Sequence, residues 1–117
     1  MIAHVTVHTA QPAETVAFYQ WLLGLPISRE LDTPTGTIQF LGGGETEFEI
    51  IPDEQAEKVN TKNLSIGFAT DSLEEKFTLL DSKHIPHSEI IAPHPGARFA
   101  FFTDLNGCEI QLFEAGK

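Results

Sequence analysis

The segments AHVTVHT, at residues 3–9, and LSIGFAT, at residues 64–70, begin two stretches of the chain that resemble each other. They superimpose at an offset of 61 residues, and the helical pattern that follows keeps this offset. Further along, TEFEII at residues 46–51 matches CEIQLF at residues 108–113 at an offset of 62 residues. A repeat of about 60 residues is too long for a solenoid unit and is typical of a duplicated supersecondary motif. The alternative is chance similarity between two amphipathic segments.

Hydrophobic periodicity predicts the same order of elements in both copies. The first copy has a strand at residues 2–8, a helix at 12–23, and strands at about 26–30, 36–41 and 46–52. The second has a strand at 63–70, a helix at about 72–83, and strands near 85–91, 98–103 and 108–114. Pro12 suits a first helical turn, and Gly24 ends the stripe of apolar residues. The triplet Gly42-Gly43-Gly44 and the segment Asp104-Leu105-Asn106-Gly107 are typical of hairpin turns.

The predicted fold is therefore α+β, with two tandem βαβββ modules in which each helix covers the apolar face of its own sheet. Module one covers about residues 1–52, a polar linker about 53–62, and module two about 63–117. We expect the two mixed sheets to curve around a cleft and to line it with their polar faces. The polar or ionisable residues assigned to this pocket, with one aromatic residue, are His4, Thr6, Glu47, Glu49, Ser65, Glu109, Gln111 and Phe113.

Composition restricts the class of function. The chain has 117 residues and a formal net charge of −10, with 17 acidic and 7 basic residues. No basic stripe for nucleic acid is present, and no apolar run approaches the ~20 residues that a membrane span needs. The N-terminus lacks the basic start of a signal peptide, so a cytoplasmic location is expected. The single cysteine, Cys108, excludes an internal disulfide, and the acidity favours a cationic ligand.

Three sequence blocks carry a family resemblance that spans essentially the whole chain. They are His4 with the later Phe18-Tyr19, then Leu23-Gly24-Leu25, and finally FTDLNGCEIQL at residues 102–112. The last block looks like the signature F-x-D-P-D-G-N-x-I-E-L. On these blocks the chain resembles the vicinal oxygen chelate superfamily, the group of glyoxalase I, bleomycin-resistance proteins and extradiol dioxygenases.

The resemblance implies a pocket to which four strands each contribute one residue, and in metal-using members these residues bind a divalent ion. The corresponding positions here are His4, Glu49, Ser65 and Gln111. Ser65 stands where a histidine is common, and Gln111 where a glutamate is common. A neutral hydroxyl and an amide oxygen are weak ligands for first-row metals. No cofactor is therefore expected, and if a divalent metal is bound, its ligands are His4, Glu49 and Gln111.

Other histidines are weaker candidates. His8 shares a strand face with His4 but lies about 13 Å along the strand, too far to share one ion. His84, His87 and His94 are predicted in loops, and His94 is a candidate for a loop at the pocket mouth.

Two functions of different classes follow from the resemblance. The first is a metal-free, homodimeric binding protein for a small molecule that is cationic or metal-chelating, similar to bleomycin-resistance proteins. The second is a metal-dependent lyase or isomerase similar to glyoxalase I, which uses His4 and Glu49 and in which Glu49 moves a proton. The sequence leaves open whether the protein is an enzyme and whether the cleft lies within one chain or is shared by two.

Overall fold

The computed structural model describes residues 1–115, which form two compact units. The first unit is Met1–Lys58 and the second begins at Val59, so the boundary lies in the segment predicted to be a linker. Each unit contains one helix and one four-stranded mixed sheet. The predicted α+β fold of two βαβββ modules is thereby confirmed.

The first unit contains five elements in the predicted order. They are β1 (His4–Thr9), α1 (Pro12–Leu23), β2 (Ile27–Thr33), β3 (Gly36–Leu41) and β4 (Glu47–Pro52). The sheet order is β1-β4-β3-β2, with β1 parallel to β4 and the other neighbours antiparallel.

The second unit repeats this arrangement. Its elements are β5 (Ser65–Ala69), α2 (Leu73–Ser82), β6 (Ile91–His94), β7 (Ala97–Thr103) and β8 (Glu109–Ala115). The sheet order is β5-β8-β7-β6, again with one parallel pair, β5 and β8.

Strand register supports the internal duplication. In the first unit His4 lies opposite Glu47, and in the second Ser65 lies opposite Glu109. These pairs are related by the same offsets of 61 and 62 residues that the sequence comparison gives. The parallel strand pairs of the two sheets therefore match in register.

One end of each helix is defined by a residue that is typical of helix termini. Gly24 ends α1 in the left-handed conformation, with φ 64°, and its N–H donates to the carbonyl of Gln20. Ser72 caps α2, because its side chain accepts a hydrogen bond from the N–H of Glu75. Tyr19 on α1 is fully buried and meets the ring of Phe48 on β4 edge-on, at 5.0 Å between ring centres.

The buried carboxylate of Glu114 ties α2 to its sheet. It accepts hydrogen bonds from the N–H of Leu73, at 2.8 Å, and from the guanidinium of Arg98, at 2.6 Å. The first N–H groups of a helix lack intrahelical partners, so a carboxylate at this end is favourable.

The β6 strand differs from its prediction. A strand was expected near residues 85–91, but β6 covers Ile91–His94, and the earlier residues contribute only an isolated bridge from His87 to Phe102. Pro86 has no N–H to donate to a ladder, and the register shifts between Ile91 and His94. His94 is consequently the last residue of a strand rather than a loop residue.

The predicted turn before β8 is confirmed in detail. Oδ1 of Asp104 accepts hydrogen bonds from the N–H groups of Asn106 and Cys108, both at 2.9 Å. Gly107 has φ 87°, and a Cβ there would overlap the carbonyl oxygen of Val59. Within residues 1–115, no helix is long and apolar enough to span a membrane.

Candidate functional site

Glu49 is the centre of a polar cluster on the exposed face of the first sheet. The register of β1 and β4 places Thr6 opposite Glu49, and the Thr6 hydroxyl donates to Oε1 of Glu49 at 2.5 Å. Nε2 of His4 lies 3.5 Å from the same oxygen. The Glu49 side chain is 12% exposed and that of His4 is 44% exposed, so the carboxylate is the more buried partner of the pair.

Glu47, two residues earlier on β4, has a different set of partners. Oε2 of Glu47 accepts from the hydroxyl of Ser28 at 2.6 Å, and Oε1 lies 3.2 Å from the guanidinium of Arg29. These contacts, the Ser28 hydrogen bond first and the Arg29 hydrogen bond second, lower the pKa of Glu47. The guanidinium also lies over the ring of Phe40, 3.7 Å from its centre. The Glu47 charge is therefore compensated by groups of its own unit.

Sequence reasoning missed Ser28, Arg29 and Phe40 as part of this face. A usable signal was present, because Arg29 is the only arginine in the first unit and the same unit carries the alternating glutamates Glu47 and Glu49. β3 lies between β2 and β4 in the sheet, and the long side chain of Arg29 reaches across it to Glu47.

The equivalent face of the second unit lacks these partners. Gly67 takes the place of Thr6 and lies opposite Gln111, which takes the place of Glu49. A Cβ on Gly67 would lie 3.2 Å from Oε1 of Gln111, so the amide side chain covers the glycine. Ser65, at the place of His4, is exposed.

Glu109, the equivalent of Glu47, has one carboxylate oxygen without a donor. Among the described residues, Oε2 of Glu109 is the buried side-chain oxygen for which no hydrogen-bond partner exists. The backbone N–H of Glu109 donates to the hydroxyl of Thr61 at 2.8 Å. Phe113, also predicted in the pocket, is half-buried and lies opposite Phe99 on β7.

Each unit has an open cavity of its own. In the second unit a cavity of about 290 Å³ contains Glu109 in its wall, together with Pro86, His87, Ser88, Phe101, Phe102 and Thr103. In the first unit a cavity of about 590 Å³ lies beside His8, whose Nδ1 is 3.8 Å from Oδ2 of Asp53.

The predicted site residues thus fall into local groups. His4, Thr6 and Glu49 form one cluster in the first unit. Ser65, Glu109, Gln111 and Phe113 all lie on the paired strands β5 and β8 of the second unit. That the groups of the two units line one pocket stays a prediction.

The donor set does not fit a tightly held catalytic metal. Such an ion needs about three imidazole or carboxylate ligands and an open position. His4 and Glu49 supply two of these, and the positions implied in the second unit, Ser65 and Gln111, supply neutral oxygens. Within residues 1–115, no three His, Cys, Asp or Glu side chains are grouped so that they could hold a metal ion.

Comparison with known proteins gives the family. The sequence profile of the Glyoxalase/Bleomycin resistance protein/Dioxygenase superfamily matches residues 1–112. The chain belongs to this superfamily. None of the curated proteins matches it.

Solved structures of the superfamily share the fold at low sequence identity. The trypanothione-dependent glyoxalase I of Leishmania major is 20% identical, with a TM-score of 0.76 and coverage of 97% of this chain and 86% of that one. The fosfomycin resistance protein FosX of Listeria monocytogenes is 16% identical, with a TM-score of 0.75 and coverage of 99% and 93%. The antibiotic binding protein TnmS3 of Streptomyces sp. CB03234 is 15% identical, with a TM-score of 0.71 and coverage of 99% and 96%.

Proposed function

We propose that this member of the superfamily binds a small molecule without a metal ion. The observation that carries the proposal is the state of Glu49, the one carboxylate at a family metal position. Its Oε1 accepts the Thr6 hydroxyl at 2.5 Å and lies 3.5 Å from His4. Protein groups therefore already engage one of the two carboxylate oxygens that a metal ion or a substrate proton would need.

The second unit supports the same proposal through its chemistry. The second unit offers no further carboxylate base at the position that corresponds to Glu49, because the residue there is Gln111. An amide neither accepts a proton in the working pH range nor binds first-row metals as a carboxylate does. Gln111 and Ser65 are suited instead to hydrogen bonds with a neutral or polar ligand.

The similar structures include an antibiotic binding protein and a fosfomycin resistance protein, and this likeness of fold favours a small-molecule ligand here.

We further propose that the protein is cytoplasmic and works as a homodimer. Several large apolar side chains are exposed, including Ile2 at 66% and Leu64 at 74%. Closed two-fold pairing is the commonest assembly of small proteins and would cover such groups. Light scattering at tens of micromolar should give twice the 12.9 kDa chain mass. A monomeric mass would contradict the proposed homodimer but not the proposed binding function.

The second candidate is a metal-dependent lyase, and one distance favours it. Two ligands bound tetrahedrally to one ion at 2.0–2.2 Å lie roughly 3.4 Å apart. The 3.5 Å between His4 and Glu49 is close to this separation. An enzyme of this kind would use Glu49 as its base.

Metal analysis separates the two candidates. The purified protein is incubated with Ni²⁺, Zn²⁺ or Mn²⁺, dialysed, and assayed for bound ion and for lactoylglutathione formation. We expect no stoichiometric ion and no activity, and the same result for His4→Ala. A stoichiometric ion that is lost in His4→Ala, together with activity, would overturn the binding proposal in favour of the lyase.

A further inference from the structure

The glutamates Glu47 and Glu109 occupy equivalent positions in the two units but have unequal surroundings. Each lies opposite the first residue of the strand that is parallel to its own. Glu47 receives a hydroxyl donor and a guanidinium, from Ser28 and Arg29. Oε2 of Glu109 is buried and receives neither. The duplicated fold therefore provides an internal reference for what Glu109 lacks.

Among the described residues, Glu109 lacks a cationic partner because the sequence has a glutamate, Glu89, at the position that corresponds to Arg29. The bridge between Ile27 and Leu41 in the first unit corresponds to the bridge between His87 and Phe102 in the second. Counting two residues on from Ile27, across the register shift before Arg29, and two on from His87 aligns Glu89 with Arg29 in sequence. A carboxylate at this position cannot compensate the charge of Glu109.

The hydroxyl that takes the place of Ser28 is also engaged elsewhere. Oγ of Ser88 donates to the carbonyl of Glu89 at 2.8 Å and accepts from the N–H of Phe101 at 2.9 Å. Its single proton is therefore not available to Glu109.

The imidazole of His87 is engaged as well. Its Nδ1 lies 2.7 Å from the carbonyl oxygen of Ser88, and its Nε2 lies 2.8 Å from Oδ1 of Asp81. The ring is stacked on Phe77 at 4.0 Å, which fixes its plane. Ser88 and His87, two donors in the wall of the cavity, thus have other partners.

We propose that the 290 Å³ cavity of the second unit binds the cationic nitrogen group of a small molecule, with Glu109 as its acceptor. A primary ammonium or a guanidinium would take the place that Arg29 occupies beside Glu47. Pro86, Phe101 and Phe102 give the same cavity an apolar wall, which suits a ligand with an aromatic or aliphatic portion next to the cation. This proposal rests on the small-molecule-binding function and names the class of its ligand.

Benzylammonium and benzyl alcohol are matched probes, because they share the ring and differ in the charge and hydrogen-bonding capacity of one group. Each is titrated into the intact ¹⁵N-labelled protein and followed by NMR, with the amide signals of Phe101 and Phe102 as reporters. We expect benzylammonium to bind about tenfold more tightly than the alcohol, because the hydrogen bond to Glu109 is charge-assisted. In Glu109→Gln the preference should fall to less than about twofold.

Two further variants make the test specific. Glu75→Gln removes the same charge from an exposed position on α2 and should leave the preference for benzylammonium unchanged. Glu89→Arg places a guanidinium where the first unit has one, and it should abolish benzylammonium binding and raise the melting temperature. Because Glu89 is exposed, this variant should fold normally.

Equal affinity for the two probes would overturn the proposal. A preference that survives Glu109→Gln, or that is lost equally in Glu75→Gln, would do the same. The metal analysis is independent of this result. The proposed binding function and the proposed cationic class of ligand are therefore tested separately.

Discussion

The hydroxyl of Thr6 lies 2.5 Å from Oε1 of Glu49, on neighbouring strands of the first sheet. In the second unit the corresponding residues are Gly67 and Gln111, which have neither a hydroxyl nor a carboxylate. The duplicated framework therefore carries an ionisable centre in one copy and a neutral one in the other.

The Thr6 hydrogen bond should contribute measurably to stability. Thr6→Val keeps the β-branched shape but leaves a carboxylate that is only 12% exposed without its donor. We expect the free energy of unfolding in urea to fall by about 1–2 kcal/mol. Thr37→Val is the matched control, since its hydroxyl donates to Asp32 at an exposed position, and it should cost less than about 0.5 kcal/mol. Equal losses of unfolding free energy in the two variants would mean that the burial of Glu49 does not strengthen the contribution of the Thr6 hydrogen bond.

The lowered pKa of Glu47 predicts a pH dependence with a definite sign. Because the folded-state pKa lies below the ordinary value of 4.5, the contribution to stability is present above that value and is lost as the pH falls through the folded-state pKa. Ser28→Ala and Arg29→Gln should each raise the pKa of Glu47, since the Ser28 hydrogen bond lowers it and Arg29 lowers it both by a hydrogen bond and by its charge. A ¹³C NMR titration of the Glu47 carboxyl checks both variants. An unchanged pKa of Glu47 in either variant would contradict the role of the contact that the variant removes.

Cys108 should be unreactive in the folded protein. Burial, and secondly the charge of Asp104, raise the pKa of its thiol from 9.0 to about 11. At neutral pH the thiolate fraction is then about 100-fold lower than for an ordinary thiol, and iodoacetamide should react at least that much more slowly than in urea. Reaction in the native state at the rate of the unfolded chain would contradict this expectation.

Gly107 should not tolerate a side chain. Its φ of 87° is rare for other residues, and a Cβ would overlap the carbonyl of Val59. Gly107→Ala should reduce the free energy of unfolding by more than about 2 kcal/mol. Gly44→Ala is the control, because no atom lies within 4 Å of a Cβ there, and its effect should stay below about 0.5 kcal/mol. Similar losses in both variants would rule out steric overlap as the cause.

The sequence predicted much of the fold because its signals are local. The helix at residues 12–23 was predicted with the bounds that α1 has, since Pro12 and Gly24 mark its ends. The turn at residues 104–107 followed from its Asn-Gly pair, and the duplication followed from the repeated strand patterns. The β6 strand was misplaced because its residues are interrupted by prolines and their pairing depends on β7.

The candidate site divides in the same way between sequence and tertiary structure. The alternation of β1 and β4 was enough to assign His4, Thr6 and Glu49 to one sheet face, because side-chain direction in a strand depends only on position along the chain. The tertiary structure decided which carboxylates have a hydrogen-bond donor or a cation beside them, because these partners lie on other strands. Glu47 meets Arg29 across the sheet, whereas the buried oxygen of Glu109 meets no donor. Whether such a hydrogen bond forms depends on differences of a few tenths of an ångström in the distance between donor and acceptor, and only the packed structure sets this distance.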